Sequence, residues 1–286
     1  MICPVPYTIN IRGQLMDLSY PRVMGILNVT PDSFFAGSRK QTEAEIADRV
    51  VQIVAEGGSI IDVGGFSTRP GAQEVSSEEE IARLRRALPL VHREAPDIPI
   101  SVDTYRPEVA RVAVEELGAD IINDVSEGGL TGIVDTPLTP SVDEIPAMFR
   151  MVGQLKVPYI LMSVQANLST MLSNMAKEVG QLHKLGVKDI IIDPGFGFGK
   201  SMDENYKLLG QLEQLRVLQL PMLVGVSRKR MIHQLLGVGV DEALNGTTVV
   251  HTLALGKGTS ILRVHDVKAA VETVKIYRQL CLSTLE

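Results

Sequence analysis

The chain has 286 residues, 45% of them hydrophobic and 22% charged, with 25 Gly and 15 Pro. That composition excludes a fibrous or disordered protein and suits one large core, since α/β barrels of roughly 250 residues form single domains. A net charge of −6 without a run of Lys or Arg argues against a nucleic-acid partner, whose phosphates need a basic stripe. No apolar run approaches the ~20 residues that span a bilayer, and the first ten residues lack a basic then apolar leader, so a cytoplasmic protein without membrane contact is expected.

Taken in chain order, residues 7–18 alternate apolar and polar around Arg12-Gly13-Gln14, which predicts a hairpin within an N-terminal segment 1–21, placed to plug the lower end of a barrel. Short apolar runs then recur at 23–27, 59–63, 98–102, 120–122, 159–162, 189–192, 222–226 and 260–264, each followed by a Gly, Pro or Asp-rich loop and an amphipathic helix. Eight such βα units close a (β/α)8 TIM barrel, an α/β fold. Helix starts are expected at Thr42 with Glu45 and at Ser77 with Glu80, which have capping-box spacing, at Pro107, and after Asp266, whose carboxylate can cap amides of the last helix. The stretch 126–146 is longer than usual βα loops and reads as an inserted loop. Cys3 and Cys281 lie at opposite ends and offer neither a disulfide framework nor a metal site.

Barrel residues that can converge on one substrate sit at the C-terminal ends of the strands. Here those positions hold Asn28, Asp103, Asn123, Asp193, Ser227-Arg228-Lys229, and Arg263 with His265. Any one of them could simply start a turn or cap a helix, but together they form a set. Asp103, Asn123 and Asp193 supply acceptors and an amide for a flat heterocycle with several N–H donors, and Lys229 could bond a ring carbonyl or nitrogen. Arg263 and His265 adjoin the start of the last helix, where barrels commonly hold phosphate, so an anionic substrate group is expected. Asn28 could give Mg²⁺ a neutral oxygen ligand, the ion borrowing others from water and substrate phosphate. The loop Asp193-Pro-Gly-Phe-Gly-Phe-Gly-Lys-Ser fits neither nucleotide fingerprint, because Pro194 and Lys200 stand where Gly is required; its glycines suit a backbone passing under a planar ligand, with Phe198 as an aromatic face. His92, His183, His233 and His251 fall in predicted helices and read as structural.

With these residues in order, the chain resembles the dihydropteroate synthase family of pterin-binding TIM barrels from about Val23 to the last helix. The motifs are Met24-Gly-Ile-Leu-Asn-Val-Thr-Pro-Asp-Ser-Phe34, Gly64-Gly-Phe-Ser-Thr-Arg-Pro-Gly71, Ser101-Val-Asp-Thr104, Ile122-Asn-Asp-Val125, the Asp193 to Lys200 loop, Ser227-Arg-Lys229 and Arg263-Val-His-Asp266. The resemblance implies a transferase of folate biosynthesis that condenses a dihydropterin methyl diphosphate with p-aminobenzoate, uses Mg²⁺, is a target of sulfonamides and works as a homodimer packed through its last helices. It implies a pterin held by Asp103, Asn123, Asp193 and Lys229, with Met162 lining the pocket and Arg263 over the ring, and counts Ser227 among the substrate-binding residues. The diphosphate would meet Asn28 through Mg²⁺, and Arg69, Arg263 and His265; p-aminobenzoate would lie near Thr68, Pro70, Phe198 and Lys229. Asp103, Lys229 and Arg263 would carry the chemistry.

Three places depart from the family pattern. Phe66 stands where the family usually has Glu, 163–167 reads Ser-Val-Gln-Ala-Asn in place of His-Met-(Gln or Arg)-Gly, and 126–146 is inserted. They motivate one alternative, a non-catalytic pterin-binding paralogue; the other is a pterin-dependent methyltransferase, which shares the carboxylate-amide pocket but against which Ser227-Arg-Lys229 and the Thr-Arg-Pro-Gly loop argue.

Overall fold

Runs that are apolar on both faces, such as Ile60 to Val63 around Asp62, can expose neither side to water, and a parallel sheet covered by helices resolves that constraint. The structure, a computed structural model describing residues 6–29, 39–66, 75–128 and 145–283, contains that sheet. A hairpin of β1 (Thr8–Ile11) and β2 (Gln14–Asp17) precedes the barrel strands β3 (Arg22–Asn28), β4 (Ile60–Gly64), β5 (Ile100–Asp103), β6 (Ile121–Asp124), β7 (Tyr159–Met162), β8 (Ile190–Asp193), β9 (Leu223–Val224) and β10 (Ile261–Val264). Around them run α1 (Arg39–Ala55), α2 (Ser77–Glu94), α3 (Pro107–Glu115), α4 (Ala147–Leu155), α5 (Leu168–Lys184), α6 (Met202–Gly210), α7 (Arg230–Leu236), α8 (Leu244–Leu255) and α9 (Val267–Ser283). All eight barrel strands fall at their predicted places and pair in parallel in the order β8-β7-β6-β5-β4-β3-β10-β9. A parallel bridge between Ile192 and Met222, with the Ile192 N–H on Pro221 O at 2.9 Å, brings β8 to the start of β9 and closes the ring. The ninth strand is shorter than 222–226 because the chain already turns where Lys229 N–H bonds Val226 O.

The hairpin does plug the bottom. Ile9, Ile11 and Leu18 are buried with Met24, Ile60, Ile121, Ile160, Ile191, Leu223 and Ile261, the lowest inward residues of the strands. Arg12 and Gly13 both take positive φ, 51° and 82°, as a two-residue hairpin turn requires. The Arg12 guanidinium then grips Asp120 at 2.6 and 2.8 Å and Pro96 O at 3.1 Å, fastening the turn to the barrel.

Two helix starts and one expected cap differ from expectation. α1 begins at Arg39, so Thr42 lies inside it rather than capping it. For α2 the cap is Ser76, whose Oγ accepts from Glu79 N at 3.3 Å; Ser77 donates instead to Glu108 at 2.5 Å, and Glu80 is buried against Arg106. α9 does start after Asp266, but that carboxylate accepts the Arg228 guanidinium at 2.9 and 2.7 Å, a charged fork outcompeting the helix amides, while Lys268 N–H turns to Glu56 at 3.1 Å. Pro107 opens α3 as predicted. Of the long loop, 129–144 lie outside the described residues. Its entry is built on Asp124, which accepts from Ser126 N, Ser126 Oγ and Gly128 N at 2.6 to 2.9 Å. Among the described residues no helix is long and apolar enough to cross a membrane.

Truncating the plug should loosen the whole barrel. Ile9→Ala removes a fully buried side chain from the bottom layer and is expected to cost about 2–4 kcal/mol in urea unfolding, whereas a loss under about 0.5 kcal/mol would show that the hairpin is not part of the cooperative core.

Candidate active site

Side chains along a strand alternate between the two faces, so the identity of the lowest inward layer dictates what points inward above it. Two residues beyond Ile60, Ile121, Ile160, Ile191 and Ile261 stand Asp62, Asn123, Met162, Asp193 and Arg263. The barrel interior therefore changes from apolar to charged in one step, at its C-terminal end. Asp124, one residue out of phase with Asn123, faces the helices and bonds Tyr159 Oη at 2.5 Å.

Arg263 organises the layer. Its Nε donates to Asp62 Oδ2 at 2.6 Å and its Nη2 to Asp103 Oδ2 at 2.7 Å, and Ser101 Oγ and Asn123 Nδ2 donate to the two Asp62 oxygens at 2.6 and 3.2 Å. One guanidinium thus faces two carboxylates. Burial lowers the Arg263 pKa, but Asp62 and Asp103 outweigh it and the guanidinium is held charged. Burial raises the Asp103 pKa, Arg263 opposes that, and Asp62 adds to it. Asp103 Oδ1 and Asn123 Oδ1, on register-paired residues of β5 and β6, are buried acceptors with no donor among the described residues. Orphaned acceptors of this kind are costly unless a ligand satisfies them.

Asp193 closes the other side. It is buried, its Oδ1 accepts Gly195 N–H at 2.8 Å, and burial raises its pKa while Lys229 pulls it down. Lys229 donates to Phe196 O and sits 4.4 Å from the Phe198 ring centroid. Gly195 takes φ 65°, and a Cβ there would strike Ser163 O, so the loop can lie this close to β7 only with glycine. Met162 is fully buried beside Val125 and Val164, with Phe66 and Phe198 packed on the cluster. Ser227 Oγ accepts from His265 N at 3.2 Å and lies 3.2 Å from His265 Nδ1, which joins the ends of β9 and β10. Asn28 is paired with Gly64, where an added Cβ would lie 3.5 Å from the Asn28 amide oxygen and 3.9 Å from Asp103 Cβ, so that oxygen is on the same end of the barrel.

The structure therefore brings together Asp103, Asn123, Asp193, Lys229 and Arg263, with Met162 and Phe198 beside them and Ser227, His265 and Asn28 at the neighbouring strand ends. Thr68, Arg69 and Pro70 lie outside the described residues. Arg228 belongs elsewhere, paired with Asp266 and Asp241. The residue that sequence reading missed is Asp62, hidden inside a strand rather than after it; a lone charge in an apolar run was the available signal. The four remaining histidines are all in helices, and burial lowers the His251 pKa to about 4. The departure at 163–167 has a structural account: Ser163 donates to Glu127, and Asn167 caps α5 by accepting from Thr170 N at 3.1 Å. A groove of about 640 Å³ between α1 and α9 reaches Asn28 and His265 but not the orphaned acceptors. Among the described residues no three His, Cys, Asp or Glu could jointly hold a metal ion.

The strand ends thus present two buried acceptors, without a donor among the described residues, beside an arginine-bridged acid pair. Residues 24–265 match the family described as pterin binding enzyme. The Escherichia coli K12 dihydropteroate synthase is 39% identical over 282 residues, with 93% of each chain covered. Among solved structures, the Xanthomonas albilineans dihydropteroate synthase with 4-aminobenzoic acid is 36% identical with a TM-score of 0.83, covering 96% of this chain and 98% of its own. That enzyme in complex with 7,8-dihydropteroate is 32% identical with a TM-score of 0.77, at the same coverage. The chain belongs to the pterin-binding enzymes and, within them, to the dihydropteroate synthases.

Behind the pocket wall lies a buried carboxyl, Glu178 of α5. Neither of its oxygens has a donor among the described residues, and burial with Glu127 and Asp124 nearby raises its pKa to about 8, Lys177 acting against them. The folded state therefore keeps a proton that the unfolded chain releases above its ordinary carboxyl pKa. This stability is present at acidic pH and lost as pH rises toward about 8. Glu178→Gln should remove that loss, so the wild-type melting temperature falls between roughly pH 5 and 8 and the variant's falls less. Parallel pH profiles would show that Glu178 does not titrate in this window.

Proposed function

We propose that the chain joins a dihydropterin methyl diphosphate to p-aminobenzoate, giving 7,8-dihydropteroate and diphosphate. The observation that carries this reading is the pair of buried acceptors, Asp103 Oδ1 and Asn123 Oδ1, beside an arginine that bridges Asp62 and Asp103. The pterin's amino and ring N–H groups answer those acceptors, Asp193 accepts further N–H groups, and Lys229 turns toward a ring carbonyl or nitrogen. Met162 lines the ring, with Arg263 over it and Ser227 at its edge.

The Asp62 and Asp103 oxygens gathered at Arg263 are fixed acceptors beside the ring, an arrangement that favours a pterin that becomes cationic. The methylene C–O bond breaks with its electron pair leaving on the diphosphate. The arylamine nitrogen then forms the C–N bond and loses a proton to solvent. No enzyme nucleophile takes part; Asp103, Lys229 and Arg263 contribute preorganised charge and orientation. His265, Arg69 and Arg263 receive the diphosphate, and Thr68, Pro70 and Phe198 the arylamine. The neutral amide oxygen of Asn28 would help hold Mg²⁺, which when bound would supply positive charge to the phosphate oxygens.

Incubated with Mg²⁺, the purified chain should release diphosphate and form dihydropteroate only when p-aminobenzoate is present, with sulfonamides competing. Pterin binding without product would instead establish the non-catalytic alternative. Asn28→Ala should raise the Mg²⁺ concentration needed for half-maximal rate. Arg263→Ala would strand two buried carboxylates, and breaking such pairs costs about 3–5 kcal/mol. Arg263→Lys keeps the charge but not the fork, and kcat/KM should fall by about 10²–10³. Unchanged kinetics in Arg263→Lys would remove Arg263 from the chemistry.

A homodimer is the second part of the proposal. Val249 and Leu253 of α8 and Ile276 and Leu280 of α9 expose apolar side chains one helical turn apart on adjacent helices, a face that water leaves uncovered. Sedimentation should give twice the monomer mass for the wild type and a monomer for Leu253→Arg with Ile276→Arg; a monomeric wild type would overturn the dimer.

A further inference from the structure

The connection between β4 and α2 leaves at Phe66 and returns at Val75, and both residues meet the same side chain. Arg106, just before α3, donates Nη2–H to Val75 O at 2.5 Å. Its guanidinium carbon lies 6.0 Å from the Phe66 ring centroid and 4.7 Å from that of Tyr105, and the two rings meet edge to face at 5.2 Å. Its Nη1 bonds Glu80, which is fully buried in the first turns of α2. A second arginine, Arg83 of α2, secures the same stem by donating to Gly65 O at 2.9 Å while its Nε holds Glu79.

A buried ion pair is a poor way to gain stability, since desolvating both charges offsets most of their attraction and an apolar pair would pack as well. What the Glu80–Arg106 pair does provide is direction. A planar guanidinium can meet a carboxylate, a carbonyl and an aromatic face at once, which a lysine ammonium cannot. Phe66, where the family usually has Glu, supplies the aromatic part of that arrangement and also packs on the Met162 cluster. One side chain thus links the loop's two stems to the pocket wall.

We propose that Arg106 is a positioning residue: by tying Phe66 to Val75 it holds these two stem residues against the Met162 wall of the pocket, the side on which the arylamine is read to bind. The inference rests on the reading above that this connection serves p-aminobenzoate. It assigns Arg106 no contact with the reacting atoms, so its effect should appear in one substrate and not the other.

The main test is Arg106→Lys in the full chain, which keeps a counter-ion for Glu80 but not the shared contacts; Arg106→Ala is the harsher second variant. The KM for p-aminobenzoate should rise about fivefold to tenfold, with the KM for the pterin diphosphate changed by less than about twofold. Hydrogen exchange across 65–78 should quicken by a similar factor, while exchange across β7 stays unchanged. An equal rise in both KM values, or faster exchange with an unchanged p-aminobenzoate KM, would overturn the positioning role. Absence of dihydropteroate formation in the wild type would instead sink the synthase reading, and Arg106-dependent exchange at 65–78 would then still support the tie between the stems.

Discussion

Arg263 holds together the polar upper core of the barrel. Its side chain rises from β10 and bridges Asp62 of β4 and Asp103 of β5, so one guanidinium spans the mouth of the barrel. Without it, two carboxylates would face each other where water is scarce, and at least one would have to take up a proton. With it, they stay together as an acid pair whose remaining capacity, the Asp103 Oδ1 acceptor, is left for a substrate.

That arrangement depends on what lies beneath it. The lowest inward layer is aliphatic throughout and is sealed by Ile9, Ile11 and Leu18 of the hairpin, so polar side chains in the next layer have no route to water from below. They must be satisfied by each other or from the open end. Strand alternation then separates two polar systems that sequence alone places side by side. Asn123 faces the barrel axis, while Asp124 faces the helices and organises Ser126, Gly128 and Tyr159.

Much of this was legible in the chain because the signals are local. Eight apolar runs with turn residues after them specify strands that alternate with helices, and the polar residues following those runs name Asp103, Asn123, Asp193, Lys229 and Arg263. Where reading from sequence slipped, a tertiary partner had replaced a local one. Ser77 and Glu80 have the spacing of a capping box, yet Glu80 pairs with Arg106 from the next βα unit and the cap moves to Ser76. Asp266 precedes a helix as a cap would, yet it binds Arg228. Asp62 was missed because nothing nearby in the chain neutralises it; its counter-ion is 201 residues away.

The sequence by itself determined the barrel, its strand count, the end that carries the chemistry and the family to which the chain belongs. These follow from periodicity and from motifs short enough to read in one stretch. Only the tertiary structure decided which acids share Arg263, which acceptors remain for a ligand, and how Arg106 joins the two stems of a loop. Each of those depends on distances across the barrel, between residues whose spacing along the chain carries no information about their meeting.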